Sequence, residues 1–356
     1  MGTGIAPLVV RCGAMGDMVL VLSLIEALQR RFGSRVDVIS SGGWTRPLLE
    51  RQPAVGKVYL LGSRKTPYLF SAEQRDLVAQ LRARGAGPAW IADRGEFAPR
   101  LLRRAGIEAA WQVQVARDCP FQDAEQYCDR FVRFAQMSPV ALAGAPTIDP
   151  AQLQDLRVPP LQVLPQWRED VGQWLRSLDL DGPPLYLVQA GNKRTMRWWA
   201  PRRRASNTKY WPEENWAAVI ATMLAGDPAA HVILLGVPAE AALNDRIVQV
   251  TGSARVHNAA TALPMARLLA LQERAAGMVS VDTGPAHSGA ALDCPLVVLF
   301  GEADPVRYAP RSPSGRVEIV VRPAGAAPGV ESITIDAVRA AWLRLMRRAP
   351  ESRTSR

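Results

Sequence analysis

The sequence predicts an α/β protein of two domains, each built on a parallel sheet and the two facing a central cleft. Three observations predict it. Short apolar runs alternate with amphipathic helical stretches over residues 6–92 and again over 185–300, the mark of βαβ units and parallel strands. Between about 145 and 184 the alternation breaks at Pro146, Pro150, Pro159, Pro160, Pro165, Pro183 and Pro184, as a domain boundary does. The length of 356 residues suits two domains at roughly 150 residues each.

Taken in order, Ala6–Arg11 reads as a buried strand and Cys12–Asp17 as a glycine-containing turn. Met18–Phe32 places Leu20, Leu24, Ile25 and Leu28 on one helical face and stops at Gly33, a residue suited to a left-handed helix end. Val36–Ser40, Lys57–Leu61 and Ala89–Ala92 read as strands, with helices at Trp44–Gln52 and Ser71–Arg84 between them. One helix, Gln166–Leu178, lies within the proline-rich break. The second series predicts strands at Leu185–Gln189, His231–Leu235, Met278–Val281 and Leu296–Phe300. Its helices fall at Pro212–Leu224, Ala239–Val250 and Ala286–Ala291, with Ile333–Arg347 as a closing helix and a polar tail after it. The expected division is a Rossmann-like domain at 1–165, a linker helix at 166–183, a second Rossmann-like domain at 184–332, and a closing helix and tail at 333–356.

Composition narrows the function. There are 43 Lys and Arg against 33 Asp and Glu, a net charge of +10, which favours an anionic partner. No run approaches the ~18 apolar residues of a membrane span, and the N-terminus lacks a charged region before its first apolar run. The four cysteines show no CxxC spacing and there are three histidines, so neither a zinc site nor a disulfide scaffold is expected. The expectation is a soluble protein of a reducing compartment. No helix-turn-helix, RNA-recognition or zinc-finger pattern is present, so a nucleic-acid partner is not expected.

Ligands of doubly wound sheets bind beyond the carboxyl ends of the strands, where helix starts offer N–H groups and a positive dipole. Three segments fall there. Gly13-Ala14-Met15-Gly16-Asp17 follows the first strand. It is neither a dinucleotide GxGxxG nor a Walker loop, but its glycines allow close approach, and Asp17 reads either as a helix cap or as a general base. Asp282-Thr283-Gly284-Pro285-Ala286-His287 ends a strand and opens a small-residue helix; Pro285 suits the first turn, and the amides there suit a phosphate. The basic stretch 192–209 carries Arg202, Arg203, Arg204 and Lys209 with Trp198 and Trp199, and it follows a strand end. Glu240 opens a further helix near the same end. Asp179-Leu180-Asp181 has the form of a metal-binding DxD, but it lies in the proline-flanked break and reads as a loop; His231 and His257 read as isolated structural residues.

Together these segments resemble the heptosyltransferase family, glycosyltransferase family 9, which builds the inner core of bacterial lipopolysaccharide. The match runs from about residue 7 to 310. It is strongest over Asp282–Leu292, Pro295, Leu299-Phe300-Gly301, Asp304-Pro305 and Arg307, and it includes Lys209-Tyr210-Trp211-Pro212-Glu213-Glu214-Asn215-Trp216. The resemblance implies a GT-B fold and metal-free, inverting transfer of heptose from ADP-heptose, a substrate rather than a cofactor. It implies Asp17 as catalytic base, and Lys209, Glu240, Asp282, Thr283, Gly284 and His287 as donor-binding residues.

The acceptor side is assigned to Gly13, Gly16, Arg202, Arg203 and Arg204. The expected acceptor is a phosphorylated glycolipid or glycan, reached by a cytoplasmic protein in peripheral contact with the anionic inner face of the inner membrane. Two alternatives stand beside this: a GT-B transferase using a UDP- or GDP-hexose, and a non-catalytic binder of anionic glycolipid. The chain departs from the family at Ser288-Gly289, where Leu-Ala is usual, and at Val188-Gln189-Ala190-Gly191, where a Pro-Gly form is usual. The first departure predicts a smaller, more polar pocket wall.

Overall fold

The structure is a computed structural model that describes residues 6–192 and 207–348. The chain separates into two compact units, 1–162 and 163–356. In the first, β1 (Leu8–Val10), β2 (Val36–Ser41), β3 (Val55–Leu61), β4 (Ala89–Ile91) and β5 (Gln112–Gln114) form a sheet in the order β3-β2-β1-β4-β5. Every pairing in it is parallel. The residues of β1 and β4 are fully buried, which is why both read as uninterrupted apolar runs.

The predicted helix at 18–32 is two helices, Met15–Leu20 and Leu22–Phe32, the second closed by Gly33 in the left-handed region at φ 67°. Arg31 is buried, but its guanidinium donates to the carbonyls of Pro146, Ala135 and Met137 at 2.7–2.8 Å. This full set of acceptors is what makes a buried cation tolerable, and it fastens the 135–146 segment to the helix.

In the second unit, β6 (Leu185–Gln189), β7 (His231–Leu234), β8 (Val256–Asn258), β9 (Gly277–Val281), β10 (Leu296–Phe300) and β11 (Val317–Val321) run in the order β11-β10-β9-β6-β7-β8. All are parallel. Trp211, Trp216 and Trp342 fill its core. Trp211 and Trp216 meet edge to face at 5.0 Å, and Trp211 Nε1 donates to Ile333 O at 3.0 Å.

The segment expected to be a linker is part of this unit. Helix Pro165–Arg176 buries Trp167, Val171 and Leu175, and Asp170 and Arg168 pair with Arg267 and Glu273 of helix Met265–Arg274 at 2.9 and 2.6 Å. Leu180 is buried and Asp181 pairs with Arg274. The DxD is thus taken up by packing.

Both sheets share one topological feature. β1 pairs with both β2 and β4, and β6 pairs with both β7 and β9. At each of these strands the winding direction reverses, and beyond its carboxyl end the two following connections part and leave a crevice.

Candidate functional site

In the first unit the reversal point holds a cluster of charge. Asp17 is the third residue of helix Met15–Leu20, whose cap position is Ala14. The sequence reading of Asp17 as the cap itself is therefore corrected by three residues. Its carboxylate reaches back to accept from Ala14 N at 2.8 Å and takes a short bond from Arg11 Nη2. This is one half of a capping box.

Gly13 is required by this arrangement: a Cβ there would stand 2.4 Å from Asp17 Cβ. Gly16 is buried within the first turn of the same helix. The Asp17 side chain remains 37 % exposed, so its carboxylate keeps lone pairs open to a ligand.

Two neighbours were missed from sequence. Asp93, directly after β4, accepts from Cys12 N at 3.1 Å through both oxygens. Arg11 donates to Ala92 O at 2.7 Å and lies 3.7 Å from Asp93, while Arg64 lies 3.5 Å from its other oxygen. The strand-end rule that singled out Asp17 also picks out Asp93, because each lies in the stretch beyond the carboxyl end of one of two paired strands, β1 and β4. Cys12 is no nucleophile: burial, with Asp93 beside it, pushes its thiol up to about 12.

In the second unit the structure brings Lys209, Asp282 and His287 together. Lys209 Nζ donates to Asp282 O and Asp282 Oδ2, both at 2.6 Å. His287 Nε2 stands 3.8 Å from Asp282 Oδ1. Asp282 follows β9, and its own N–H donates to Leu299 O of β10 at 3.1 Å, so two strands set its place. Thr283 is the cap residue of helix Gly284–Ala291, with Pro285 in the first turn. Its hydroxyl turns inward to Val281 O at 3.1 Å, so the element Thr283 and Gly284 offer to an anion is the helix start.

Lys209 is fixed from both sides. Its N–H donates to Asn207 Oδ1 at 3.2 Å, and its carbonyl accepts from Asn192 Nδ2 at 3.3 Å. Thr208 O accepts from Val330 N at 2.9 Å, and Thr208 Oγ1 donates to Glu302 at 3.1 Å.

Glu240 is buried beside the same strand ends. It accepts from Val237 N at 3.1 Å, and a Cβ at Gly191 would meet its Oε1 at 2.3 Å. This explains the glycine after β6 even though the usual Pro-Gly form is absent. Gly191 and Asn192 are consecutive, so one short stretch touches both Glu240 and the Lys209 backbone.

The departure at Ser288-Gly289 has a different meaning from the one expected. Ser288 is fully buried and donates to Gln272 Oε1 at 2.6 Å, and a Cβ on Gly289 would stand 3.1 Å from Met278 Sδ. The pair packs the helix against Met265–Arg274 and β9 rather than lining a pocket. Arg202, Arg203 and Arg204, with Trp198 and Trp199, lie outside the described residues. Among the described residues, no three His, Cys, Asp or Glu side chains cluster as metal ligands.

Residues 186–332 match the family model for glycosyltransferase family 9 (heptosyltransferase). Lipopolysaccharide heptosyltransferase 2 of Salmonella typhimurium is 24 % identical over 315 residues, covering 85 % of this chain and 84 % of its own length. The structure of the Escherichia coli ADP-heptose LPS heptosyltransferase II superposes with a TM-score of 0.71 at 22 % identity, over 96 % of this chain and 98 % of that one. A family 9 glycosyltransferase from Veillonella parvula superposes with a TM-score of 0.74 at 16 % identity, over 96 % and 97 %. The fold is GT-B. Over residues 186–332 the chain is thus similar to the heptosyltransferases of glycosyltransferase family 9, a likeness that supports a glycosyltransferase.

Proposed function

We propose that this protein transfers heptose from ADP-heptose to a lipopolysaccharide-core-type acceptor, with inversion at the anomeric carbon and without a metal ion. The observation that carries the reading is the Lys209–Asp282 pair beside the start of helix Gly284–Ala291, at the reversal point of the sheet that matches the family model. A cation and a helix start are what a departing diphosphate needs. The name of the E. coli relative supplies the donor.

In the proposed reaction a hydroxyl of the acceptor attacks C1 of the heptose as the C1–O bond to the diphosphate breaks, and ADP leaves. Attack from the face opposite the leaving group inverts the centre. Asp17 accepts the hydroxyl proton, because a sugar hydroxyl is a poor nucleophile at neutral pH without a base. Arg11 and the Ala14 amide orient that carboxylate, and Asp93 orients Arg11 in turn. Negative charge accumulating on the diphosphate is met by Lys209 and by the N–H groups at the helix start. Glu240 and His287 are assigned to the donor's sugar or ribose side. Gly13 and Gly16 serve the acceptor side indirectly, Gly13 by leaving room for the Asp17 carboxylate, and Arg202, Arg203 and Arg204 engage the acceptor's phosphates at an anionic, inner-membrane surface.

The test is ADP release by the purified full chain with ADP-heptose and a heptose-less lipopolysaccharide core, followed by the product's anomeric configuration. Turnover is expected to persist in excess EDTA. Abolition by EDTA with rescue by magnesium would refute the metal-free part. Turnover with a UDP- or GDP-hexose in place of ADP-heptose would refute the donor. Replacing the three arginines with glutamine is expected to raise the acceptor's apparent constant and flatten the salt dependence; an unchanged salt profile removes them from the acceptor site.

A further inference from the structure

The connection after β3 carries an apolar tip that the proposed reaction does not use. Residues 62–71 include Arg64 and Lys65 and no acidic residue. Pro67 leads into a single helical turn, Tyr68–Phe70, on which Leu69 is 77 % and Phe70 80 % exposed. One exposed leucine is ordinary. Two large adjacent apolar side chains on a tip held away from the core are not.

The tip is held by a buried residue. Gln74, 1 % exposed, donates Nε2 to Ser63 O and Thr66 O, both at 2.8 Å. Arg75 donates to Leu69 O at 2.6 Å, and Phe70 N closes onto Pro67 O at 3.0 Å. The Arg104 guanidinium lies 4.4 Å from the centre of the Tyr68 ring. Leu69 and Phe70 therefore face water because the loop is built that way.

Charge surrounds the tip unevenly. Arg64, Lys65, Arg75 and Arg104 belong to it or touch it, and Arg100 and Arg103 stand on the same helix as Arg104; against these six cations, Glu73 lies on Gly62 at the base of the loop and Asp76 follows it. The loop stands at the carboxyl end of the first sheet, the end that carries Asp17, since Arg64 reaches Asp93.

We propose that Leu69 and Phe70 form a wedge that inserts into the interfacial layer of an anionic lipid bilayer, with the flanking cations on the headgroups. A two-residue tip falls far short of the roughly 800 Å² per partner that a stable protein interface buries. Apolar side chains ringed by Lys and Arg are what hold a protein at an anionic membrane. The inference rests on the proposed lipid-displayed acceptor, yet it is tested without any substrate.

The experiment is flotation of the full chain with vesicles of phosphatidylglycerol and phosphatidylethanolamine, and with vesicles of phosphatidylcholine alone. Binding to the anionic vesicles is expected. It should fall at least about tenfold in Leu69→Ser/Phe70→Ser and roughly fivefold in Lys65→Gln. Against the ten native tryptophans, Phe70→Trp should add a blue-shifted component quenched by brominated lipid, read as the difference from wild type on those vesicles.

Turnover of a lipid-free acceptor should be unchanged in the double variant. Equal partitioning of wild type and double variant, or no lipid-dependent emission difference between Phe70→Trp and wild type, overturns the proposal. So does a concentration-dependent dimer in sedimentation equilibrium that the double variant abolishes while vesicles are not bound. If the heptosyl reading alone is wrong, vesicle binding stays intact while no acceptor, lipid-free or displayed, is turned over.

Discussion

At the scale of single residues, the roles proposed for Asp17 and Lys209 are separable by substitution. Asp17 has a donor at each oxygen, Ala14 N and Arg11, so Asp17→Asn is not a silent probe of folding. Whichever way the amide is turned, its NH2 meets one of those donors. The expected cost is under about 1 kcal/mol, because the pair is partly solvated. Turnover should fall far more, roughly 10²–10⁴-fold, with ADP affinity unchanged. Near-wild-type turnover in steady-state assays would leave Asp17 as a helix-capping residue only. Lys209→Ala removes the donor to Asp282 and leaves that carboxylate without its cation beside the proposed diphosphate site. ADP affinity by calorimetry should drop about 10–100-fold, and an unchanged dissociation constant would remove Lys209 from the donor site.

At the scale of elements, the helix Gly284–Ala291 has two faces with separate duties. Its start points beyond β9, and its body packs on Met265–Arg274 through Ser288 and Gly289. Gln272 is the hub of that contact: it also donates to Pro285 O at 2.7 Å. Ser288→Leu, the side chain usual in the family, should therefore destabilise the second unit by roughly 1–3 kcal/mol through overpacking and loss of the Gln272 partner. Donor preference should not change. Urea denaturation and a comparison of nucleotide affinities separate these outcomes; a shift from ADP toward another nucleotide with undiminished stability would return Ser288 to the pocket wall.

At the scale of the whole molecule, proton uptake couples to stability through a pair the sequence reading took for two isolated residues. His231 opens β7 and His257 lies on β8, and His231 Nδ1 is 2.9 Å from His257 Nε2. One ring donates and the other accepts, so protonating both sets two donors face to face. Burial, with Arg255 near His231 and His231 near His257, holds both imidazoles below their ordinary value of 6.5. The folded chain therefore binds fewer protons than the unfolded one just below that value. The pair's contribution is intact above about pH 6.5 and is lost as pH falls through and below it. Urea midpoints measured from pH 8 to 5 should decline toward acid. In His231→Gln/His257→Gln the decline should be shallower; parallel profiles would show that the pair does not couple to folding.

The fully buried strands and the residues beyond their ends were legible in the sequence, because an apolar run needs no partner to declare itself and a ligand-binding turn must follow it. Asp17, Lys209, Asp282 and Glu240 were singled out that way, and the structure places each beyond a strand end. β8 escaped because Val-His-Asn carries no apolar run, and β11 because an edge strand with alternating exposure resembles a loop. The linker reading of 166–183 failed because prolines mark the ends of a helix whether or not its face is covered, and the cover, Met265–Arg274, lies about 100 residues further on. Local pattern thus determined the two parallel sheets and the strand-end turns that could hold chemistry. Only the tertiary structure decided that Asp93 and Arg11 hold the Asp17 site, that Lys209 meets Asp282, and that Ser288 faces inward. Each of those depends on which distant segment comes to lie alongside, and a one-dimensional pattern does not carry that information.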